Sequence, residues 1–527
     1  MEVSRKLVLI NSTSSLIALA LNMTVLVWLQ RFLLHRIDTA EYSVLPVLFS
    51  VMMFVPLLTT MFTRGLARYA TEAYAANNLK RVTQIASTMS LILFGVGIVV
   101  LAIGLAAAYN IDHVLTIDPN YADDARLMFA LLMIGFALQI MLEPFCVGLE
   151  VKQRFVLLNV VTTCGQFLRI GLLFGLLFGI SVGVLWVIVA TVTAAFFTQL
   201  VILTISLRFV PSLRFRRSAV NWPVARELLS FGGWSTVAAL AITITRSSDA
   251  IILNKLGTPL DVTCFYLGAL PFHYINLAGS AALTPLRPAL VSMYVTNQSD
   301  RFGAIFLQGG RWALWLTLFV SVPLMVCGRE LITLYVGPEF QMAGTVMLLV
   351  LLQYPVGQGV RMLFQISEAT ANIRKLSMCL LAMSLFNLGL TLYMVGVLNM
   401  GAIGSGLGSA IAAMIFYPML LWPIGLKMAD VRLFIWVRRT LLPGLLPAAS
   451  GAATLVLLKM FVPLDSWLYL FACMLAASAV YVAVLWFVAL QKEDRKELGV
   501  VFRKLAQLPL VSMVSGNRIS KSDPAND

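Results

Sequence analysis

Charge is what this sequence has least of. Only 12% of its 527 residues are Asp, Glu, Lys or Arg, about half the share of a soluble domain, while 60% are apolar. No water-soluble fold can hide that much apolar surface. Histidine is nearly absent: His35, His113 and His273 stand alone, without metal-ligand spacing, and no metal or other cofactor is expected. The six cysteines, Cys146, Cys164, Cys264, Cys327, Cys379 and Cys473, are scattered and never form a C-x-x-C pair. They read as small apolar core residues rather than a redox or zinc motif. Long polar loops are missing too, so there is no room for a separate soluble catalytic domain, and the chain is not read as an enzyme.

What is present is a series of long apolar runs. A helix needs about 20 apolar residues to cross the hydrocarbon core of a bilayer. Such runs fall at roughly 7–30, 42–63, 83–108, 127–148, 158–179, 183–206, 231–254, 266–292, 312–328, 344–366, 376–397, 402–426, 441–461 and 466–490. The expected fold is therefore an all-α polytopic membrane protein of about 14 transmembrane helices. The first run follows Arg5 and Lys6 and contains Ala18-Leu19-Ala20, which resembles a signal-peptide cleavage box. Its hydrophobicity continues to Leu29, so it reads as an uncleaved span.

The net charge of +14 would suit a nucleic-acid partner if it were clustered. It is not. The basic residues sit in short loops, and with the N-terminus inside, 29 of the 38 Lys and Arg fall on the inner side and 6 on the outer. A bias that survives every alternation fixes the orientation: both termini are expected in the cytoplasm, and no nucleic acid is expected.

The first six spans and the next six repeat. Arg31–Tyr42 aligns with Lys255–Tyr266, Ile170-Gly171-Leu172 with Leu388-Gly389-Leu390, and Ala190–Phe197 with Ser409–Phe416. An even number of spans per unit makes the repeat parallel, about an axis along the membrane normal, with a cavity between the units. The chain divides into an N-terminal lobe (1–206), a basic cytoplasmic linker (207–230), a C-terminal lobe (231–426), two additional helices (427–490) and a cytoplasmic tail (491–527). Two lobes around a cavity suit alternating access, not covalent chemistry.

The stretch RFLLHRIDTAEYSVLPVLFS (31–50) resembles the opening of the polysaccharide flippases of the multidrug/oligosaccharidyl-lipid/polysaccharide exporter superfamily. RGLARYATEAYAANNLKRV (64–82) and SSDAIILNKLGTPLDVTCFYLGALP (247–271) resemble the same family, and the likeness covers about 1–425. It rests on pattern and spacing, with no invariant chemical signature. The resemblance implies a V-shaped two-lobed cavity in a bacterial inner membrane. It also implies flipping of an oligosaccharide linked to undecaprenyl diphosphate, for cell-surface polysaccharide biosynthesis.

A charge at the bilayer centre costs about 2.5–3.5 kcal/mol on insertion scales, so charged residues inside spans need a reason. Arg169, Arg246 and Arg361 lie within spans; Arg287 and Arg64 lie at inner span ends. Fixed guanidinium groups can replace the hydration of a diphosphate that must leave water, which makes these five the candidate substrate-binding residues. Asp249 stands three residues after Arg246, on the same helix face, so an internal ion pair is the competing reading. Snorkelling to the cytoplasmic interface competes for Arg287 and for Glu143. Asp249 and Glu143 are also the candidates for coupling to a proton or sodium ion.

Two motifs mislead. Gly401–Gly408 has the look of a nucleotide loop but opens an apolar span, and reads as close helix packing. Gly179–Gly183 fits the letters of a nucleophile elbow but reads as a tight turn between spans. Trp28, Trp436 and Trp467 near span ends read as interface anchors. Four functions compete: the flippase, a cation-coupled multidrug exporter of the same superfamily, a membrane polysaccharide polymerase or ligase, and a non-transporting partner of a polysaccharide-assembly complex. The mid-membrane excess is basic, which suits an anionic substrate better than a cationic drug. The longest outer loop, about 109–126, is too short for a polymerase's catalytic residues.

Overall fold

A computed structural model of the chain describes residues 27–57, 66, 69–74, 76–111, 115–152, 154–283, 299–369, 373–491 and 494–495. The first span up to residue 26, Arg64 and Arg287 therefore lie outside the described residues. Among the described residues all regular structure is helical. Residues 27–34 end a first helix, α1. There follow α2 (Thr39–Met52), α3 (Leu79–Tyr109), α4 (Ala122–Cys146), α5 (Phe155–Gly179), α6 (Val184–Phe209) and α7 (Trp222–Leu256). Next come α8 (Pro259–Leu283), α9 (Ser299–Val326), α10 (Met342–Leu351), α11 (Ile373–Gly396) and α12 (Gly401–Phe416), then α13 (Leu442–Phe461) and α14 (Trp467–Val484). Each stands where an apolar run was expected. Ten of the described helices are long and apolar enough to cross a membrane, and the chain is a multi-pass membrane protein. A short helix at Gly328–Val336, after α9, was not foreseen; nine residues with a polar first turn fall below the length that marks a span.

The helix ends are set by local chemistry. Asn78 caps α3 by accepting from the Arg81 N–H at 3.0 Å, and Ser466 caps α14 through the Tyr469 N–H. Two further caps reach across the sequence. The Glu41 carboxylate, in the first turn of α2, accepts from the Val184 N–H that opens α6, at 2.9 Å. The Asp261 carboxylate, in the first turn of α8, accepts from the Ala402 N–H that opens α12, at 2.8 Å. A carboxylate at a helix N-terminus satisfies an orphan donor and meets the positive end of the dipole. Gly401 has φ +52°, and a Cβ there would collide with the Asp261 carboxylate, so the second cap needs this glycine.

These caps make the second and sixth helices of each half equivalent and point them the same way. The packing agrees: α4 and α5 lie on α6 as α10 and α11 lie on α12. The halves meet where α2 packs against α7 and α8. The largest buried cluster crosses that seam, from Leu33, Tyr42 and Leu48 to Leu253, Val262 and Tyr354. The 401–408 run does serve close packing. A Cβ on Gly406 would press on Leu349 at 3.3 Å, and one on Gly408 would lie 2.9 Å from Thr391 Oγ1. Gly179–Gly183 is the turn between α5 and α6. Trp436 departs from expectation: it is fully buried rather than at an interface, packed with its ring tilted against Trp422, and its indole N–H is on the Gly359 carbonyl at 3.2 Å. Position near a span end did not predict its surroundings, because neighbouring helices cover it.

The last two helices are fastened by a buried ion pair. Asp494, just past α14, meets Arg311 of α9 at 2.6 Å, and both side chains are almost wholly buried. Trp312 Nε1 donates to the same carboxylate at 3.1 Å, and Arg311 also donates to the Arg439 carbonyl at 2.6 Å. Removing one member of such a pair strands the other charge. Arg311→Ala is expected to lose about 3–5 kcal/mol of stability, whereas Arg311→Met with Asp494→Leu, which removes both charges, is expected to lose much less. Thermal unfolding of the two purified variants in detergent checks this; equal losses would show that the charges themselves do not fasten the helices.

Candidate functional site

A cavity of about 390 Å³, mostly apolar but with several polar side chains in its walls, lies at the seam between the halves. Pro46 and Phe49 of α2 form one wall; Arg246 and Asp249 of α7, and His273 and Asn276 of α8, line the other. Arg246 lies ten residues before the end of α7, which at about 1.5 Å per residue is roughly 15 Å, half the depth of a hydrocarbon core. Its side chain is exposed to the cavity.

Arg361 approaches from beyond α10 and is half-buried. Its guanidinium donates to Asn276 Oδ1 at 3.2 Å, to the Asn276 carbonyl at 3.3 Å and to Ser280 Oγ at 2.6 Å. Its charge therefore lies against α8, behind the cavity wall. Arg246 is within electrostatic range of Arg361 and of His273. Arg169 of α5, half-buried, comes within range of Tyr274, which also lines the cavity. Arg361 thus contacts α8 directly, while Arg246 of α7 and Arg169 of α5 lie within electrostatic range of His273 and Tyr274 on that helix.

Arg246 and Asp249 are not joined. Among the described residues no ion pair links them; Asp249 instead accepts from Thr391 Oγ1 at 3.0 Å and is 1% exposed. Glu143 is elsewhere: half-buried on α4, beside Gln199 of α6 and away from the cavity. The contribution of α8 escaped the sequence reading. A signal was there, since Phe272-His273-Tyr274-Ile275-Asn276 places three polar groups in mid-span, but searching for formal charges passes over it.

A second hollow adjoins the first. It measures about 710 Å³ and is almost wholly apolar, with Leu267, Pro271, Leu316, Val320 and Leu324 in its walls and Trp467 of α14 at its edge. Leu270 and Tyr274 line both hollows, so the cavity that holds Arg246 and the apolar groove are neighbours.

The end of the bundle where α1, α3 and α7 finish is held shut between the halves. The Thr116 N–H donates to Asn254 Oδ1 at 2.9 Å, and Asn254 Nδ2 donates back to the Thr116 carbonyl at 2.8 Å. At the apolar groove, the Tyr335 hydroxyl also links the halves by donating to the Val27 carbonyl.

A family model described as "Polysaccharide biosynthesis protein" matches residues 4–286, more than half of the chain. The chain belongs to that family. No curated protein matches it by sequence. Among solved structures, the lipid II flippase MurJ in an inward closed conformation is similar with a TM-score of 0.66 at 13% identity, covering 91% of this chain and 99% of that one. A multidrug resistance MATE family transporter of the MOP superfamily, facing inward, gives 0.61 at 14% identity, covering 77% and 93%. A MOP superfamily transporter from Pyrococcus furiosus, for which a binding pocket of reverse polarity is described, gives 0.59 at 14%, covering 80% and 95%. At these identities the likeness establishes the fold: this member of the polysaccharide biosynthesis family shares the helical fold of the MurJ and MATE structures.

If the Thr116–Asn254 contact is a gate that must open, locking it should stop turnover. Thr116→Cys with Asn254→Cys is expected to form a disulfide on mild oxidation, visible as joined fragments after cleavage at a protease site inserted in 207–221. Transport should fall to background and return with reductant. Full transport in the cross-linked protein would show that this end never opens.

Proposed function

We propose that the protein flips a lipid-linked oligosaccharide across a bacterial cytoplasmic membrane by alternating access, feeding cell-surface polysaccharide biosynthesis. The observation that carries this reading is the adjacency of the two hollows. A cavity that exposes the Arg246 guanidinium and shares Leu270 and Tyr274 with an apolar groove suits a substrate with an anionic head and a long hydrocarbon tail. An undecaprenyl diphosphate sugar is such a molecule. Family membership points to the same pathway class, and the MurJ likeness makes a lipid-linked substrate mechanically plausible for this fold.

In this reading the diphosphate leaves water and meets Arg246 directly, with Arg169 and Arg361 raising the local positive potential. Charge-assisted hydrogen bonds from a planar guanidinium replace hydration that the hydrocarbon region cannot supply. Arg64 and Arg287 remain proposed substrate contacts on the inner side. The sugar occupies the cavity beside the polar side chains of α7 and α8, and the polyprenyl tail follows the apolar groove without leaving the lipid phase. The lobes 1–206 and 231–426 rock about the seam, while 427–490 supports the groove from outside. Both termini are proposed to be cytoplasmic, as the basic asymmetry requires.

A reconstituted flipping assay with defined lipid-linked sugars tests the reading. Arg169→Ala, Arg246→Ala and Arg361→Ala should each cut flipping strongly, while Arg→Lys should recover only part, since an ammonium lacks the bidentate fork. The double change Arg246→Ala with Asp249→Asn is expected to stay inactive. Full activity of the double variant at normal membrane abundance would assign Arg246 to charge neutralisation and remove it from the substrate site.

A further inference from the structure

The connection from α6 to α7 is more than a tether between the halves. Residues 210–221 lie as a strap along the first turns of α3. Thr83 Oγ1 donates to the Ser212 carbonyl at 2.9 Å. Ser87 Oγ accepts from the Arg216 N–H at 2.9 Å and donates to the Arg214 carbonyl at 3.3 Å. Thr88 Oγ1 accepts from the Asn221 N–H at 2.9 Å. Val210 and Leu213 are buried in one cluster with Val82, Ile85 and Ala86 of α3, which keys the strap to that helix. Three hydroxyls and two apolar side chains thus fix the backbone of a segment that has little regular structure of its own.

What the strap turns outward is specific. Arg214, Phe215, Arg216 and Arg217 are all exposed. Among the described residues none of the three arginines forms an ion pair. Phe215 is 50% exposed and Trp222, which opens α7, 64%. Nearby basic residues are covered by the protein itself: Lys152 lies over the Tyr74 ring at 4.7 Å and Arg154 over the Phe209 ring at 4.9 Å. The level of the strap follows from α3, whose 31 residues span about 46 Å against about 30 Å of hydrocarbon. Its first turns, which begin with Lys80 and Arg81, therefore stand in the headgroup layer, and the strap stands there with them.

We propose that the strap is a docking surface for anionic phospholipid headgroups, with Arg214, Arg216 and Arg217 on the phosphates and Phe215 and Trp222 at the boundary with the acyl chains. A guanidinium meets a phosphate through two parallel hydrogen bonds, and a basic residue at a charged membrane surface contributes about 1 kcal/mol. Aromatic rings settle at the same depth, apolar face inward. A soluble acidic protein would satisfy the arginines but would leave two exposed aromatic rings without a use. In the proposed orientation the lipid belongs to the inner leaflet. Because α3 holds the strap by its backbone, bound lipid fastens the first half of the bundle to the membrane surface. The site does not depend on what the protein carries.

The test is thermal unfolding of the purified full-length protein in detergent, titrated with dioctanoylphosphatidylglycerol or with dioctanoylphosphatidylcholine. A ligand that binds the folded state raises the unfolding temperature saturably. The wild type should respond to the anionic lipid at much lower concentration than to the zwitterionic one, and added salt should weaken the response. Changing Arg214, Arg216 and Arg217 together to Gln should raise the half-saturating concentration of the anionic lipid at least about tenfold. Lys375→Gln, Lys427→Gln and Arg438→Gln combined remove the same charge from exposed positions at that end of the bundle and should leave it unchanged. Ser87→Ala keeps every charge but loosens the strap, and should weaken binding as well. Should the triple strap variant fail to fold, Arg216→Gln and Phe215→Ser carry the test singly, each raising the concentration about threefold. Equal response of the wild type to both lipids, or a strap variant that titrates like the wild type, overturns the site. Equal loss in the two triple variants overturns it in favour of net charge alone. Transport lost in cells by a strap variant with an unchanged lipid titration overturns it in favour of a protein partner.

Discussion

Inside a bilayer nothing but the protein can satisfy a polar group, and this structure is arranged around that constraint. Backbone groups meet it by forming helices along every described span. Side chains meet it by reaching neighbours across helices. Arg361 is the plainest case: its guanidinium is held by two oxygens of Asn276 and one of Ser280, all from α8. Without them, a half-buried cation would face hydrocarbon at a cost of about 2.5–3.5 kcal/mol. The need to satisfy Arg361 therefore fixes α8 against the region beyond α10, and α8 in turn carries His273, Tyr274 and Asn276 into the cavity. Charge placement and cavity shape are one problem with one solution.

The same constraint accounts for the repeat. A helix N-terminus near the membrane surface leaves several N–H groups without partners. Here a carboxylate from the second helix of each half serves the sixth: Glu41 for Val184 and Asp261 for Ala402. The two caps sit in related places, although Glu and Asp differ in length. Gly401, with its positive φ, lets the shorter aspartate reach; the first half has the longer glutamate and a Gly183 in extended backbone instead. Equivalent geometry has been kept by different residues, which is why matching identical letters between the halves finds so little.

Much of the architecture was legible before any coordinates. Runs of twenty apolar residues admit one secondary structure, and their boundaries follow from where charge resumes. The site was less legible, for a specific reason. Formal charges inside spans stand out, so Arg169, Arg246, Arg361 and Asp249 were found from sequence. What each charge faces depends on neighbours more than 80 residues away, as with Arg361 and Asn276. The three-residue spacing of Arg246 and Asp249 suggested a pair, but helical spacing permits contact without requiring it. Asp249 found Thr391 on another helix. Glu143, equally conspicuous in sequence, turned towards Gln199 and away from the seam. Neutral polar residues such as Ser280 and Thr391 gave no signal, because single Ser and Thr residues are common in packed membrane helices.

These placements bear on how a cycle could be driven. Arg246 and Asp249 lie one turn apart on α7, so a ligand on either changes the field at the other through a short, poorly screened path. In the proposed orientation, a diphosphate moves outward, away from the negative interior of the cell. The membrane potential favours that step by about 2.3 kcal/mol per elementary charge per 100 mV. Arg246 and Asp249 both line the cavity from one helix, and neither neutralises the other, so the guanidinium stays available to an anion at every stage of such a cycle.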